Sequence, residues 1–142
     1  MECKFCDGLL GENLIKGFQY WEVYLHPNQY YLGRCSVALK RHLEDLTEVT
    51  EEERTELFGI LAGLRETVMG LFGANLINYY SAGNIVRHLH IHFIPRYDHE
   101  VDFEGVVFKD ELWGQNHSFY PRDFKIEEGL LGKIKERIKS KI

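Results

Sequence analysis

Polar and apolar residues alternate strictly between positions 88 and 93 of the chain. Successive side chains of a β-strand point to opposite faces of a sheet, so this period of two predicts a strand over 85–94. Pro95 cannot donate a ladder hydrogen bond and therefore marks the end of the strand. One face of the strand would carry three histidines, and the other would pack three apolar side chains into a core. The histidines are His88, His90 and His92, and the apolar residues are Leu89, Ile91 and Phe93.

A helical period is found between positions 50 and 72. Thr50, followed three residues later by Glu53, fits a capping box at the start of a helix, and Gly73 is typical of a helix end. The pattern predicts one long helix over about 50–72 whose apolar face covers one face of the sheet. The apolar residues at helical spacing are Leu57, Ile60, Leu61, Leu64, Val68 and Leu71.

Aromatic and β-branched residues predict three further strands, over 18–25, 34–39 and 74–80. The first two would pair as an antiparallel hairpin because they are close in sequence. The segment 106–112 is either another strand or an extended arm, and the apolar spacing in 126–142 predicts a C-terminal helix. This order of elements predicts an α+β fold with a mostly antiparallel sheet.

The composition adds limits to the class of protein. A chain of 142 residues with 44% hydrophobic and 27% charged residues predicts one soluble globular domain over 1–142. We find no apolar run long enough to span a bilayer and no apolar signal region at the N-terminus, which predicts a cytoplasmic protein that does not bind membranes. The net charge of -5 argues against a nucleic-acid polymer as the partner.

The three cysteines do not suggest a disulfide framework, because their number is odd. Cys3 and Cys6 have the Cys-x-x-Cys spacing of a metal knuckle, whose thiolates favour zinc. The same spacing also occurs in redox-active pairs or without any function, so it does not decide between these by itself. Cys35 lies in a strand-like run and reads as a small buried hydrophobic residue.

Three imidazoles on one face of a strand can carry out chemistry near neutral pH. A neutral imidazole can attack an electrophile or bind a metal, and an imidazolium can donate a proton. A polar strand face that meets solvent, with an adventitious metal site at most, is the alternative interpretation.

The segment 88–94 resembles the signature of the histidine-triad (HIT) superfamily of nucleotide hydrolases and transferases. Asn78, Gly83, Asn84 and Val86 resemble the approach to the triad in that family, and the resemblance spans 3–97. Residues 98–142 would then form a C-terminal arm and helix. The resemblance implies a five-stranded antiparallel sheet with helices on one face, and a homodimer in which two such sheets join edge to edge.

The resemblance also implies roles for the three histidines. His90 occupies the position of the nucleophile, which attacks the α-phosphorus of a nucleotide and forms a nucleotidyl-histidine that water then cleaves. His92 would donate to a phosphoryl or bridging oxygen. His88 would complete the row of hydrogen bonds or serve a metal.

The family also implies phosphate-binding residues, and the chain departs from it at some of these positions. Gly83 and Asn84 would bind the phosphate, although the family usually has glutamine where Asn84 stands, and Asn78 would help to position it. Ile85 offers no donor where the family often has serine or threonine. The usual Gly-His of the family is Gly-Arg here, so that Arg34 replaces a histidine.

Some members of the superfamily complete a zinc site with the histidine before the long helix and the first triad histidine. The matching set in this chain is Cys3, Cys6, His42 and His88, which implies one structural zinc ion per chain. The other histidines, His26, His99 and His117, carry no motif and are predicted to be ordinary surface or loop residues.

By this resemblance the chain is a hydrolase or nucleotidyl transferase that acts at the α-phosphate, with dinucleoside polyphosphates of the diadenosine tetraphosphate type as substrates. Nucleoside phosphoramidates are the alternative substrates. Two other classes stay open: a nucleotide-binding regulatory module with vestigial hydrolysis, and a zinc-stabilised interaction protein.

Overall fold

The computed structural model describes residues 3–119 and 123–142, and it has the α+β architecture that the sequence predicts. The strands of the main sheet are β1 (Leu14–Gly17), β2 (Trp21–Leu25), β3 (Cys35–Leu39), β4 (Leu76–Tyr80) and β5 (His90–Arg96). The helices are α1 (Glu51–Phe72) and α2 (Glu128–Lys139), with short 3-10 turns at Gly11–Asn13 and Leu46–Glu48. A separate hairpin is formed by β6 (Val101–Phe103) and β7 (Val106–Phe108).

The five-stranded sheet is antiparallel throughout and has the strand order β1-β2-β3-β5-β4. The predicted hairpin of β2 and β3 is confirmed, with Val23 opposite Val37. On β5, His90 lies opposite Ala38 and His92 lies opposite Ser36, so small residues face the histidines across the ladder. The histidine strand is therefore held between two neighbours on the interior of the sheet.

Helix α1 begins and ends where its sequence signals predict. The Thr50 hydroxyl accepts a hydrogen bond from the Glu53 backbone at 3.1 Å, and the Glu53 carboxylate accepts one from the Thr50 backbone at 2.8 Å. This is the predicted capping box. Gly73 ends the helix with a left-handed φ of 76°, which a residue without Cβ adopts at low cost.

The core lies between α1 and the face of the sheet that the histidines do not occupy. The indole nitrogen of Trp21 donates to the Glu53 carbonyl at 2.8 Å, which ties β2 to the first turn of the helix. A Cβ at Gly33 would lie 3.1 Å from Val68, so glycine allows β3 to begin directly beneath α1. The apolar residues predicted for the buried face of the histidine segment, Leu89, Ile91 and Phe93, all belong to this core.

The predicted starts of two strands, at residues 18 and 85, are wrong, and one strand was not predicted. Residues 18–25 do not form one strand, because the Phe18 backbone closes a tight turn by donating to the Trp21 carbonyl at 2.7 Å and β2 begins only there. The strand before that turn, β1, was not predicted, since its segment shows many glycines and no clear alternation.

The histidine strand begins at His90, not at residue 85 as predicted. The backbone before it leaves the ladder to contact the segment after β3: the Leu89 N–H donates to the Leu43 carbonyl at 2.6 Å. His88 therefore precedes the strand proper. The segment predicted as either a strand or an arm contains β7, which covers only its first three residues.

Candidate active site

Four metal-ligating side chains meet at the point where the chain enters β5. Cys3 and Cys6 come from the N-terminal turn, His42 from the segment after β3, and His88 from the residue pair before β5. The His88 Nδ1 lies 3.3 Å from Cys3 Sγ, 3.4 Å from Cys6 Sγ and 3.2 Å from His42 Nδ1. One ligand atom from each of the four residues lies within 4.8 Å of all the others.

The hydrogen bonds of this cluster leave a lone pair for a metal. The His88 Nε2 donates to the Leu39 carbonyl at 2.6 Å, and because a carbonyl oxygen only accepts, its Nδ1 is unprotonated. That Nδ1 points at two sulfurs and a second imidazole nitrogen. In tetrahedral zinc sites with bonds of about 2.0–2.3 Å, neighbouring ligand atoms lie about 3.3–3.8 Å apart. The cluster can therefore hold a metal ion, and its two thiolates and two imidazoles suit zinc.

His90 is held in one orientation by a hydrogen bond to the backbone. Its Nδ1 donates to the His88 carbonyl at 2.6 Å, so the lone pair of the neutral ring lies on Nε2. Burial lowers the pKa of His90 below its usual value, against the opposing effect of the hydrogen bond to the His88 carbonyl, and so favours the neutral ring at pH 7. Phe5, which lies between the two cysteines in sequence, packs with its ring centre 5.0 Å from that of His90.

His92 is the next histidine on the same face of β5. Burial lowers its pKa to about 3, with smaller contributions from His90 and Arg34. The Nδ1 of His92 is buried and has no hydrogen-bond partner in the part of the chain that the structure describes. Its ring packs against that of Phe119 at 5.3 Å. The ring of His92 lies 4.8 Å from that of His90, and a ligand bound at the two rings could provide the missing partner.

A cavity of about 300 Å³ opens beside these two histidines. It brings together residues predicted to bind phosphate, Gly83 and Asn84, with residues predicted to catalyse. Gly83 has a φ of 65° and so exposes its backbone to the cavity without a side chain in the way. The lining residues are His26, Arg34, Tyr80, Ala82, Gly83, Asn84, Ile85, Val86, His90, His92 and Phe119.

A second cavity, of about 190 Å³, adjoins the same histidines. It shares His90 and His92 with the larger cavity, but its remaining walls come mainly from the N-terminal segment and β2. These walls carry two aromatic rings, those of Phe5 and Tyr24. The two triad histidines thus line both cavities, whereas Arg34 lines only the larger one, and the aromatic rings of Phe5 and Tyr24 line only the smaller one.

Arg34 is a site residue that the sequence did not assign. It is 1% exposed, and burial lowers the pKa of its guanidinium to about 10, which leaves it positively charged at pH 7. Its Nε has no hydrogen-bond partner among the described residues. One feature of the sequence could have drawn attention to Arg34: it replaces the histidine of the usual Gly-His pair of the family. That departure marks the position but does not show where the side chain lies.

Asn78 lies outside both cavities. Its Oδ1 accepts hydrogen bonds from Arg96 Nη1 at 2.9 Å and from His117 Nδ1 at 3.1 Å. Arg96 itself is buried and forms an ion pair with Asp110 at 2.6 Å. Asn78 therefore contacts a structural arginine and the C-terminal arm, and any effect on a phosphate would pass through these neighbours.

His26 and His117 lie in loops, as expected, but they are half-buried and are not ordinary surface residues. His26 lines both cavities, and burial together with Arg34 lowers its pKa to about 4. His117 packs its ring 5.7 Å from that of Tyr80 and contacts Asn78, so it holds the arm against β4. His99 is exposed and pairs with Asp98, in accordance with the expectation. Histidines that belong to no motif lie next to the candidate site because the strands beside them pair with strands that are distant in sequence. The spacing of residues along the chain does not show such pairing.

No helix in the described ranges is long and apolar enough to cross a membrane.

Comparison with known proteins gives consistent matches. The family model described as HIT domain matches residues 14–99. An uncharacterized HIT-like protein of Methanocaldococcus jannaschii is 31% identical over 113 residues, which cover 75% of this chain and 84% of that protein. The structure of a histidine triad (HIT) protein from Sinorhizobium meliloti has a TM-score of 0.77 at 19% identity, with 96% of this chain and 95% of that chain covered. A Zn-bound histidine triad family protein from Mycobacterium smegmatis has a TM-score of 0.66 at 20% identity, covering 99% of this chain and 95% of that chain.

Proposed function

Because the chain belongs to the HIT domain family, we propose that it hydrolyses or transfers nucleotides at the α-phosphate through a nucleotidyl-histidine intermediate on His90. The proposed substrates are dinucleoside polyphosphates of the diadenosine tetraphosphate type. The observation that carries this proposal is the hydrogen bond from His90 Nδ1 to the His88 carbonyl, which leaves the Nε2 lone pair free beside a polar cavity. A neutral imidazole held in this way is a competent nucleophile.

The reaction has two displacements at the same phosphorus. His90 Nε2 forms a bond to the α-phosphorus while the bond to the leaving phosphate oxygen breaks, and that oxygen keeps the electron pair. An anionic phosphate leaving group needs no proton to depart. Water then attacks the α-phosphorus, loses a proton to solvent and releases the nucleoside monophosphate, which restores the neutral His90. His92 and Asn84 would hydrogen-bond to the phosphoryl oxygens as their charge increases.

The two cavities suggest where the parts of the substrate bind. The nucleoside would occupy the smaller cavity, since Phe5 and Tyr24 offer aromatic surfaces to a base. The phosphates would extend into the larger cavity, past Gly83 and Asn84. The α-phosphorus would then lie at the boundary, next to His90, which lines both cavities.

We also propose that the cluster of Cys3, Cys6, His42 and His88 binds one structural zinc ion per chain. The similar structure from Mycobacterium smegmatis is Zn-bound, and the four ligands leave no open position for substrate. When bound, zinc would cross-link the N-terminal turn to His42, which follows β3, and to His88, which precedes β5. Phe5 would then hold one wall of the smaller cavity against His90.

The homodimer remains a proposal, and the sheet edges support it. The β1 edge is covered by α2, and Lys135 donates there to the Glu12 carbonyl at 2.9 Å. Among the described residues, β4 is the other edge strand, and its exposed Tyr79 and Tyr80 line a cavity together with exposed Phe58 of α1. An unpaired edge with apolar side chains favours pairing with a second copy. Light scattering at micromolar concentration should give the mass of two chains, and a fully active monomer would contradict the dimer.

Substitution of His90 tests the catalytic proposal. His90→Ala should lower the release of AMP from diadenosine tetraphosphate by at least about a thousandfold, while AMP binding measured by calorimetry and the circular dichroism spectrum stay close to wild type. His99→Ala, which removes an exposed histidine, is the matched control and should keep full activity. Activity of His90→Ala within a few-fold of wild type would reject the nucleophile. AMP binding by a wild-type protein without turnover would indicate a regulatory module instead.

A further inference from the structure

Arg34 is a buried cation that no carboxylate of the described residues balances. Only 1% of the residue is exposed, and within residues 3–119 and 123–142 no acidic oxygen lies within 4.0 Å of its guanidinium. Its Nη1 donates one long hydrogen bond, of 3.5 Å, to the Phe119 carbonyl, and its Nε has no partner in the same ranges. Burial of an unpaired charge is costly, so this arrangement indicates an anion that comes from solution.

The position of Arg34 indicates which part of a substrate this anion belongs to. Arg34 lines the larger cavity and not the smaller one, although His90 and His92 line both. If the nucleoside occupies the aromatic cavity, Arg34 lies on the opposite side of the reacting phosphorus. That side receives the leaving group. The other cavity residues named as phosphate-binding, Gly83 and Asn84, carry no charge, so Arg34 supplies the positive charge there.

We propose that Arg34 binds the phosphates of the leaving group and makes the site selective for substrates that release a polyphosphate over those that release an uncharged amine. This inference rests on the proposed function of the same site. A guanidinium presents paired N–H donors that match two phosphate oxygens. As the bond to the α-phosphorus breaks, negative charge builds on the leaving oxygen, and a fixed cation on that side stabilises it. An amine leaving group gains nothing from the same contact.

The test compares two substrates in matched variants. Arg34→Gln keeps a similar length without the charge, and Arg137→Gln makes the same change at an exposed arginine of α2. In Arg34→Gln, kcat/KM for diadenosine tetraphosphate should fall by about ten- to a hundredfold, the effect of one or two charged hydrogen bonds. The kcat/KM for adenosine phosphoramidate should change by less than about threefold. Arg34→Lys should recover part of the loss, and Arg137→Gln should resemble wild type.

An equal loss on both substrates, or no loss on either, would overturn the role of Arg34 while leaving His90 catalysis intact. Binding of tripolyphosphate, measured by calorimetry, tests Arg34 separately from turnover. Arg34→Gln should bind it at least about tenfold more weakly than wild type, with an unchanged melting temperature in the absence of ligand. If wild type hydrolyses neither substrate, the proposed function fails. Unchanged binding of tripolyphosphate by Arg34→Gln would reject the role of Arg34, whatever the outcome of the hydrolysis assays.

Discussion

Arg34 and Arg96 are both buried and lie on the same face of the sheet, but their surroundings are opposite. Arg96, at the end of β5, donates to both oxygens of Asp110, at 2.6 and 3.2 Å, and also to Asn78 and two backbone carbonyls. Arg34, directly before β3, has one long contact with a carbonyl and an unpaired Nε. The described residues satisfy the donors of Arg96, whereas among the same residues Arg34 finds no such set of acceptors, which is why we propose a partner from solution for it. Burial alone therefore does not distinguish a structural arginine from a binding one, whereas hydrogen-bond satisfaction does.

The largest effect on stability should come from the paired arginine. Arg96→Gln would leave Asp110 buried without its cation, and we expect a loss of about 3–5 kcal/mol in the free energy of unfolding. Urea denaturation followed by circular dichroism measures it. Arg137→Gln is the control and should change stability by less than about 0.5 kcal/mol. A loss below about 1 kcal/mol in Arg96→Gln would mean that the network around Arg96 does not stabilise the fold.

Zinc removal extends the comparison to the metal cluster. For these four residues, as for Arg34, we propose a partner that comes from solution, in this case a cation. If zinc binds the cluster of Cys3, Cys6, His42 and His88, a chelator should lower the free energy of unfolding. The expected loss is about 3–4 kcal/mol if free zinc had exceeded its dissociation constant by a hundred- to a thousandfold. Elemental analysis should find one zinc ion per chain in wild type and none in the double variant Cys3→Ser, Cys6→Ser. A metal-free wild type of unchanged stability would exclude the zinc site.

The ion pair between Arg41 and Glu53 is intermediate between the fully paired Arg96 and the unpaired Arg34. Glu53 is buried while Arg41 is half exposed, and hydrogen bonds from Arg41 lower the pKa of Glu53 to about 2, against the opposing effect of burial. A carboxyl whose pKa is lower in the folded state stabilises above its unfolded pKa, and loses that contribution as pH falls towards its folded pKa.

Stability should therefore decrease between about pH 5 and pH 2, and Glu53→Gln should reduce this dependence. The effect should be smaller than that of Arg96→Gln, because water screens the exposed side of Arg41. Urea denaturation at a series of pH values measures both proteins. Identical pH profiles for Glu53→Gln and wild type would show that this carboxylate contributes nothing.

The smallest effect, of opposite sign, should come from Arg34. Replacement of an unpaired buried cation by a hydrophobic residue of similar size removes a cost, so Arg34→Met should raise the free energy of unfolding by about 1 kcal/mol in phosphate-free buffer. Tripolyphosphate should stabilise wild type and leave Arg34→Met unchanged. A destabilisation of Arg34→Met comparable to that of Arg96→Gln would end the distinction between the two arginines.

The sequence predicted those parts of the molecule that depend on local signals. The period of two in 88–93 predicted the core face of β5, and Thr50 with Glu53 predicted the start of α1. Strand β1 was missed because a short edge strand next to a turn has no strong pattern.

The site was predicted only as far as the family motif reached. His90 and His92 came from the triad, but Arg34 and His26 join them through the pairing of β2, β3 and β5. Such pairing depends on contacts between residues far apart in sequence, which a single sequence does not reveal. Likewise, the contact of His42 with His88 bridges 46 positions, and only the resemblance suggested it.

The central claim is that His90 attacks the α-phosphorus before water does, and the stereochemistry at that phosphorus tests it most directly. A dinucleoside polyphosphate with a chiral α-phosphorothioate would be hydrolysed in water labelled with heavy oxygen, and the configuration of the released nucleoside phosphorothioate determined. Each in-line displacement inverts the phosphorus, so two displacements through His90 predict net retention. Net inversion would show a single direct attack by water and would contradict the account.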